Sequence, residues 1–204
     1  MIISNIFVLI LGYSYILHIN KLHIVRCRYI SRRIYNNIVS LDRDAFSEEY
    51  LWSFDQHKDF FEINSSAILL IKDKNKTIGY INYIVINEGK YNRIKRAQTY
   101  YYNLNSADVT SLRKRRKNYI LIESIAIKKA YESAKMKEFI AKRLRTEFRN
   151  KSKQGYHIYG IISAGVSDLE KSILSDIGFN YLKDYREKEA LYELDEKAIK
   201  DFIK

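Results

Sequence analysis

The sequence predicts a mixed α/β (α+β) domain, one sheet of mixed strand direction with helices packed on both faces. Three observations carry this expectation. Short apolar, β-branched runs alternate with stretches whose apolar residues recur at helical spacing. Some strand-like runs are separated by tight polar turns, as in hairpins, and others by helical stretches, as in crossover units. A chain of 204 residues, 47% hydrophobic and 29% charged, suffices for one domain with a self-sufficient core.

Each element has its own signal. The run from Leu22 to Tyr29, LHIVRCRY, alternates as a strand does. Ser31 then caps a helix whose apolar positions Ile34, Ile38, Leu41 and Ala45 recur at i, i+4, i+7 and i+11. Ser47, followed by Glu48 and Glu49, opens a second helix with Leu51, Phe54 and Phe61 on its apolar side. Strands at 67–72 and 77–86 flank the polar turn Asp73-Lys74-Asn75-Lys76. Residues 87–117 are polar, rich in Tyr and basic residues, and lack apolar periodicity, which reads as a functional loop or a disordered insertion. That stretch ends in the basic run Arg113-Lys114-Arg115-Arg116-Lys117.

A strongly apolar strand at 119–127 follows, and a short polar turn leads into an amphipathic helix at 132–149. Met136, Phe139, Ile140, Leu144 and Phe148 share one face of that helix. A strand at 156–164 leads to a short helix capped by Ser167 and Asp168, bearing Leu169, Ile173, Leu174 and Ile177, with Gly178 just past its end. A hairpin at 179–185 and 190–194 and a short helix-like tail complete the order β-α-α-β-β-β-α-β-α-β-β. The expected organisation is an apolar segment at 1–20, then a single domain at 21–204 with an insertion at 87–117.

The first segment has three readings. Ile2 to Ile19 is apolar but interrupted by Ser4, Asn5, Ser14 and His18, at the short end of the roughly 17 to 25 residues that span a bilayer. It reads as a membrane anchor, a packed extension or an over-long start, and basic residues after it would keep the domain cytoplasmic if it inserted. No basic residue precedes it and no small-residue cleavage site follows, so it makes a poor secretory signal.

Composition excludes several classes. A lone Cys27 rules out internal disulfides and cysteine metal cages. Histidines 18, 23, 57 and 157 have no paired-ligand spacing, so no metal site is expected. Zero Pro and 18 Tyr, with abundant Ile, Lys and Asn, fit the codon bias of an AT-rich genome. A net charge of +12 favours anionic partners such as CoA, nucleic acid or an acidic surface, or else describes a solvated basic surface.

Ile78-Gly79-Tyr80 in the third strand, Glu123-Ser124-Ile125-Ala126-Ile127 before the long helix, and Asp176-Ile177-Gly178-Phe179 before the last hairpin form an ordered set. With the element order, this set resembles the GNAT superfamily of N-acetyltransferases over about residues 21–194. The resemblance implies a cytoplasmic enzyme that moves an acetyl group from acetyl-CoA to a primary amine on a small molecule, a protein or an aminoacyl-tRNA. Backbone groups of Ile125, Ala126 and Ile127 would pair with the pantetheine arm. The family's phosphate turn, Arg/Gln-x-x-Gly-x-Gly/Ala, falls on Glu132-Ser133-Ala134-Lys135-Met136-Lys137. Ser133, Ala134, Lys135, Met136 and Lys137 are therefore the implied phosphate contacts. The first position carries the opposite charge, however, and both small positions are Lys. Those lysines would meet phosphates with their ammonium groups, block the groove, or face solvent on an ordinary helix.

The resemblance makes Glu123 the general base, against its plainer reading as a surface carboxylate on the polar side of a strand. The family's acid, a Tyr four residues before the Gly of the Gly-Phe pair, falls on Leu174; Tyr181 or Tyr185 would have to substitute. His157 reads as a core or edge histidine. The alternative is a catalytically inactive relative that binds RNA, a membrane or a protein partner through its basic loop. Tyr100-Tyr101-Tyr102 and the cations Arg113, Lys114, Arg115, Arg116 and Lys117 combine aromatics with charge, as single-stranded nucleic-acid binders do, against the plainer reading of a solvated or mobile loop; the resemblance equally implies a loop that shapes the acceptor pocket. A homodimer is the other assembly this reading admits.

Overall fold

The computed structural model describes residues 22–45, 52–63, 68–186 and 188–204. Its strands are β1 (Leu22–Arg26), β2 (Ile68–Asp73), β3 (Lys76–Ile86), β4 (Lys117–Ile127), β5 (His157–Gly165), β6 (Asn180–Arg186) and β7 (Glu189–Leu194). They form one sheet in the order β1-β2-β3-β4-β5-β7-β6. The β4–β5 pair is parallel and every other pair is antiparallel, so the sheet is mixed, as hairpins and crossovers in one chain require. The helices are α1 (Arg32–Ala45), α2 (Phe54–Ile63), α3 (Glu88–Lys95), α4 (Ala134–Lys153), α5 (Asp168–Asp176) and α6 (Glu196–Phe202).

Strand alternation sorts side chains to two faces. Ile81, Tyr83, Ile120 and Ile122 pack with Met136, Ile140, Leu144 and Phe148 of α4 and with Ile173 and Leu174 of α5. On the opposite face, Tyr80 and Ala126 meet Ile38 and Leu41 of α1 and Phe61 of α2. Beside them Ile84, Ile86 and Leu121 meet Phe60 of α2 and Tyr91 and Ile94 of α3. Helices cover both faces.

Caps set the helix ends. Ser31 Oγ accepts from the Ile34 amide at 3.3 Å, as its place before α1 predicts. The start of α2 differs from expectation: Ser53 and Gln56 close a reciprocal pair, Gln56 N–H to Ser53 Oγ at 3.2 Å and Ser53 N–H to Gln56 Oε1 at 2.9 Å. The predicted opening at Ser47 lies outside the described residues. At the end of α5, Gly178 takes φ 92°, its amide donates to Ser175 O, and the Phe179 amide donates to Leu174 O. That 6→1 closure brings Phe179 and Leu174 into the same core cluster and aims the chain into β6.

The insertion is built, not loose. Asn87 Oδ1 caps α3 by accepting from the Lys90 amide at 2.8 Å, and Tyr91, Ile94, Tyr101, Leu104 and Val109 are all buried. Lys90 is itself buried, 3.4 Å from the Asp108 carboxylate and hydrogen-bonded to Asn103 O. Apolar periodicity missed this segment because α3 is only eight residues long, with Tyr91 and Ile94 as its apolar contribution. Tyrosine rings supply most of the rest, with polar tips that need partners.

The apolar segment at 1–20, and with it the choice among anchor, packed extension and over-long start, lies outside the described residues. Among those described, no helix is long and apolar enough to cross a membrane.

Candidate active site

The site begins with a close approach and a bulge in the β3–β4 pair. A Cβ on Gly79 would meet Ala126 O at 2.7 Å and Ile127 Cδ1 at 2.8 Å, so a residue without a side chain lets the strands close there. Further along, Asn82 pairs with Ser124 but Tyr83 pairs with Ile122, leaving Glu123 as an extra residue in β4. This bulge turns two successive side chains to one face. Ile122 and Ile125 both remain in the α4-side core, while Glu123 and Ser124 both reach toward the α1 side.

There they join a polar cluster inside the protein. The Tyr80 hydroxyl donates to the Asp42 carboxylate of α1 and lies 2.9 Å from Ser124 Oγ. Asn82 Nδ2 donates to Glu123 Oε2 at 3.0 Å. Burial holds the Asp42 pKa up to about 7, against the pull of the Tyr80 hydrogen bond. Glu123, which keeps part of its surface open, is raised well above the carboxylate range by desolvation first and then by Asp42. The Asn82 bond opposes that rise and Glu170 adds to it. Burial, Asp42 and Glu123 also raise Tyr80, which keeps its hydroxyl a donor. Next to Asn82, Trp52, His57 and Phe60 bound a cavity of about 10 Å³, room for roughly one water. The Trp52 indole N–H is buried there with no acceptor among the described residues.

The second component is a wedge between β4 and β5. Their pairing ends at Ile122 and Ser163, where Ser163 Oγ donates to Ile122 O at 2.9 Å. Beyond it, residues 123–127 pair only with β3, while β5 turns to β7. The Lys128 amide donates to Ile78 O, so ladder alternation points the peptide groups of Ala126 toward β3 and those of Ile125 and Ile127 into the wedge. The Ile125 amide is not left open. It donates to Glu170 Oε1 at 2.9 Å, while Glu170 Oε2 accepts from the Val166 and Ser167 amides at 3.1 and 3.3 Å. Glu170 is 2% exposed, and burial lifts its pKa to about 7 against those three bonds.

The helix that follows starts in a basic setting. Ser133 caps α4 by accepting from the Met136 amide at 3.2 Å, and the Lys137 amide is taken by Ser133 O. The amides of Ala134 and Lys135 have no protein acceptor among the described residues. Met136 is buried in the core, Lys135 is exposed, and Lys137 Nζ donates to Ser172 Oγ of α5 at 2.6 Å.

The remaining sequence candidates lie apart from this cluster. Tyr181 is 55% exposed on β6 at the sheet edge, its hydroxyl donating to Asp184 Oδ1 at 2.9 Å. The Tyr185 hydroxyl donates to Thr99 O, and its ring packs with Tyr100 and Tyr101 of the insertion. Strands β5 and β7 separate both from β4. Leu174, at the position of the family's acid, is fully buried in the core. His157 is half exposed, its Nε2 3.6 Å from Glu196.

Sequence reasoning passed over Asp42, Tyr80, Asn82 and Glu170. Asp42 had a signal: four residues after Ile38 and next to Leu41, it puts a carboxylate on the apolar stripe of α1. Glu170 had half of one, since Ser167 and Glu170 form a capping box. Its second role on Ile125 depends on a contact 45 residues away. No cluster of three or more His, Cys, Asp or Glu among the described residues is arranged to hold a metal.

No family model matches the sequence, and no curated protein matches it. The fold does have counterparts. The loading GNATL domain of CurA from Lyngbya majuscula aligns with a TM-score of 0.57 at 10% identity, covering 86% of this chain and 98% of that one. FeeM, an N-acyl amino acid synthase from uncultured soil microbes, aligns at 0.55 and 12% identity over 89% and 93%. PaiA N-acetyltransferase from Thermoplasma acidophilum, in complex with coenzyme A, aligns at 0.53 and 13% identity over 85% and 98%. At such identities the likeness is one of architecture. The chain carries the fold of the GNAT N-acetyltransferases.

Proposed function

We propose that this chain is a cytoplasmic N-acyltransferase that moves an acetyl group from acetyl-CoA to a primary amine on a small molecule, a protein or an aminoacyl-tRNA. The observation behind this reading is the bulge, which sets the Glu123 carboxylate where β4 parts from β5, next to a wedge lined by unpaired strand backbone. An amine acceptor is an ammonium ion near neutral pH and attacks a thioester only after losing a proton. A carboxylate of raised pKa, oriented by Asn82, is suited to take that proton. Trp52 and Phe60 would wall the acceptor side.

For acyl-CoA the fit is partial. The exposed α4 start, with open amides at Ala134 and Lys135 and the Lys137 ammonium held beside α5, suits a pyrophosphate. Ile127 offers its peptide group to an arm in the wedge, but Glu170 already occupies the Ile125 amide. Acetyl-CoA supplies the acyl carbonyl and the thiolate leaving group; the chain would hold it, exclude water and receive the amine proton at Glu123.

Differential scanning fluorimetry tests the binding half of this reading. At a concentration one hundred times its Kd, acetyl-CoA stabilises a binder by about 2.7 kcal/mol, a rise of roughly 5 to 10 °C for a domain of this size. Wild type should show it, and Lys135→Glu with Lys137→Glu should lose most of it. No rise at millimolar acetyl-CoA would remove the proposal. Glu123→Gln should retain the shift while thiol release in the presence of an amine falls by about 10²- to 10⁴-fold.

A second reading has its own support. Glu170 on the Ile125 amide, Leu174 at the acid position and a glycine-free turn describe a GNAT fold that binds a partner without catalysis. It predicts neither a thermal shift nor thiol release.

A further inference from the structure

The basic run Arg113–Lys117 belongs to neither the bulge nor the wedge. It sits at the opposite end of β4, where the insertion turns into the strand, and all five side chains are exposed. Three other cations of the insertion are paired: Lys90 and Arg93 with Asp108, Lys95 with Glu193. Among the described residues, none of Arg113, Lys114, Arg115, Arg116 and Lys117 makes an ion pair with a carboxylate. Lys117 instead lies 4.1 Å over the Tyr159 ring and Lys114 lies 5.9 Å over Tyr156.

Five adjacent like charges repel, and a loop carried for solubility would spread them by staying loose. Here the backbone is fastened. Asn118, 3% exposed, accepts from the Arg113 amide at 2.8 Å through Oδ1. Its Nδ2 lies 2.9 Å from Arg113 O and Arg116 O and 3.0 Å from His157 O, tying the turn to itself and to β5. The Arg115 amide donates to Gly155 O at 3.3 Å, and Arg115 holds φ 58°, a left-handed conformation that arginine rarely adopts. The turn is therefore locked in a strained shape that presents cations, the arrangement found where strain serves a site.

Arg113, Arg115, Arg116 and Lys117 line a cleft of about 990 Å³ at the paired end of β3 and start of β4, where Asn87, Ser106, Thr110 and Ser111 add amide and hydroxyl groups. One carboxylate, Glu88, lies on its wall, accepting from the Tyr119 hydroxyl at 2.6 Å. Small-molecule sites are enclosed and mostly apolar; this cleft is open and cationic, with polar and apolar lining in about equal share, which fits an extended polyanion. Guanidinium groups in a fixed fork, hydroxyls and amides are the donors that hold phosphodiesters. The half-buried Tyr156 and Tyr159 rings carry Lys114 and Lys117 over their faces and lie outside the cleft lining, so the contact is to the phosphate backbone rather than to bases.

We propose that this cleft binds a single-stranded nucleic acid through its phosphate backbone, with Arg113, Arg115, Arg116 and Lys117 as the phosphate contacts. The proposal stands apart from the acyltransferase reading, because its residues and its ligand chemistry are separate from those of the wedge.

Fluorescence anisotropy of the full chain with a labelled single-stranded RNA, over a salt series, tests it. Four phosphate contacts give a fall of log K with log salt of slope about −3, from about −0.7 per contact. Arg113→Gln and Arg116→Gln should each reduce that slope by about 0.7. Arg115→Gly should do the same without lowering the melting temperature, since glycine prefers the conformation Arg115 is held in. Loss of binding in that variant is thus separated from loss of fold. Lys135→Glu with Lys137→Glu, which changes the net charge more, should leave most RNA binding in place. Absence of binding at low salt overturns the proposal, as does a slope the cleft variants do not change. An equal loss in the Lys135/Lys137 variant, or binding to anionic phospholipid vesicles but not to RNA, does so as well.

Discussion

Asp42, Glu123 and Glu170 are three carboxyl groups brought inside one protein by three different elements; Asp42 raises the pKa of both of the others, and Glu170 also raises that of Glu123. They titrate as a coupled set, so near neutral pH the cluster carries fewer than three negative charges. The consequence for stability has a definite sign. For Asp42 the ordinary value is 3.8 and the folded value about 7, so between those limits the folded chain holds a proton that the unfolded chain has released. Unfolding then releases protons, and stability falls as pH rises through that window. Glu170, from 4.5 to about 7, acts in the same direction. In melting curves from pH 4.5 to 8, Asp42→Asn should therefore flatten the decline relative to wild type, and a steeper decline in the variant would contradict the assignment. Tyr80→Phe probes the same cluster by another route. It strips Asp42 of its hydrogen bond and leaves Ser124 without that partner, and is expected to destabilise by about 1–3 kcal/mol in denaturant titrations.

At the scale of elements, the two halves of the chain were legible to different degrees. Helix α4 was readable because Met136, Ile140, Leu144 and Phe148 recur every four residues and all four are buried against β3 and β4. Leu144→Ala, at a position with no exposed surface, should cost about 2–5 kcal/mol in the same titrations. Gly79 was quoted only as part of a pattern, yet its physical task is plain: Ala126 O at 2.7 Å and Ile127 Cδ1 at 2.8 Å exclude a methyl group. Gly79→Ala should separate β3 from β4 near the bulge and destabilise by about 1–3 kcal/mol. The insertion was not readable, because its order comes from polar contacts distant in sequence. Tyr91 donates to Glu193, Tyr185 to Thr99 O, and Lys90 is buried against Asp108. Periodicity detects apolar stripes, and a segment held by tyrosine hydroxyls and a buried lysine has none to detect. The same limit hid the fate of Tyr185, whose place in the chain suggested an acid and whose hydroxyl is committed to the insertion.

Across the whole molecule, β4 organises two opposite chemistries. Its first residue belongs to a cationic turn, its middle carries the acidic cluster, and its last residues line a wedge and lead into a basic helix start. Glu123 and the strand–turn–helix were visible in sequence, whereas the contest for the wedge was not, since it turns on one carboxylate reaching across from α5. Glu170 and a pantetheine arm would want the same Ile125 amide. If the arm binds there, it does so by displacing a carboxylate, and protonation of Glu170 weakens the carboxylate's hold on its three amides. Acetyl-CoA affinity should therefore rise as pH falls through about 7. Glu170→Ala removes the competitor. Releasing one backbone hydrogen-bond donor is worth about 0.5–1.5 kcal/mol, so the variant should bind acetyl-CoA about threefold to tenfold more tightly at pH 8. Part of the affinity's pH dependence should disappear with it, leaving what the ligand's own phosphate contributes. The substitution also unmakes a capping box and strands buried amides, so the free variant should melt below wild type while gaining more from saturating acetyl-CoA. Isothermal titration at pH 6 and 8 on both chains separates these effects, and it measures binding alone, untouched by the opposite pH demand of the amine. Equal affinities and equal pH dependence in the two chains would place the arm outside the wedge and leave Glu170 as a structural cap.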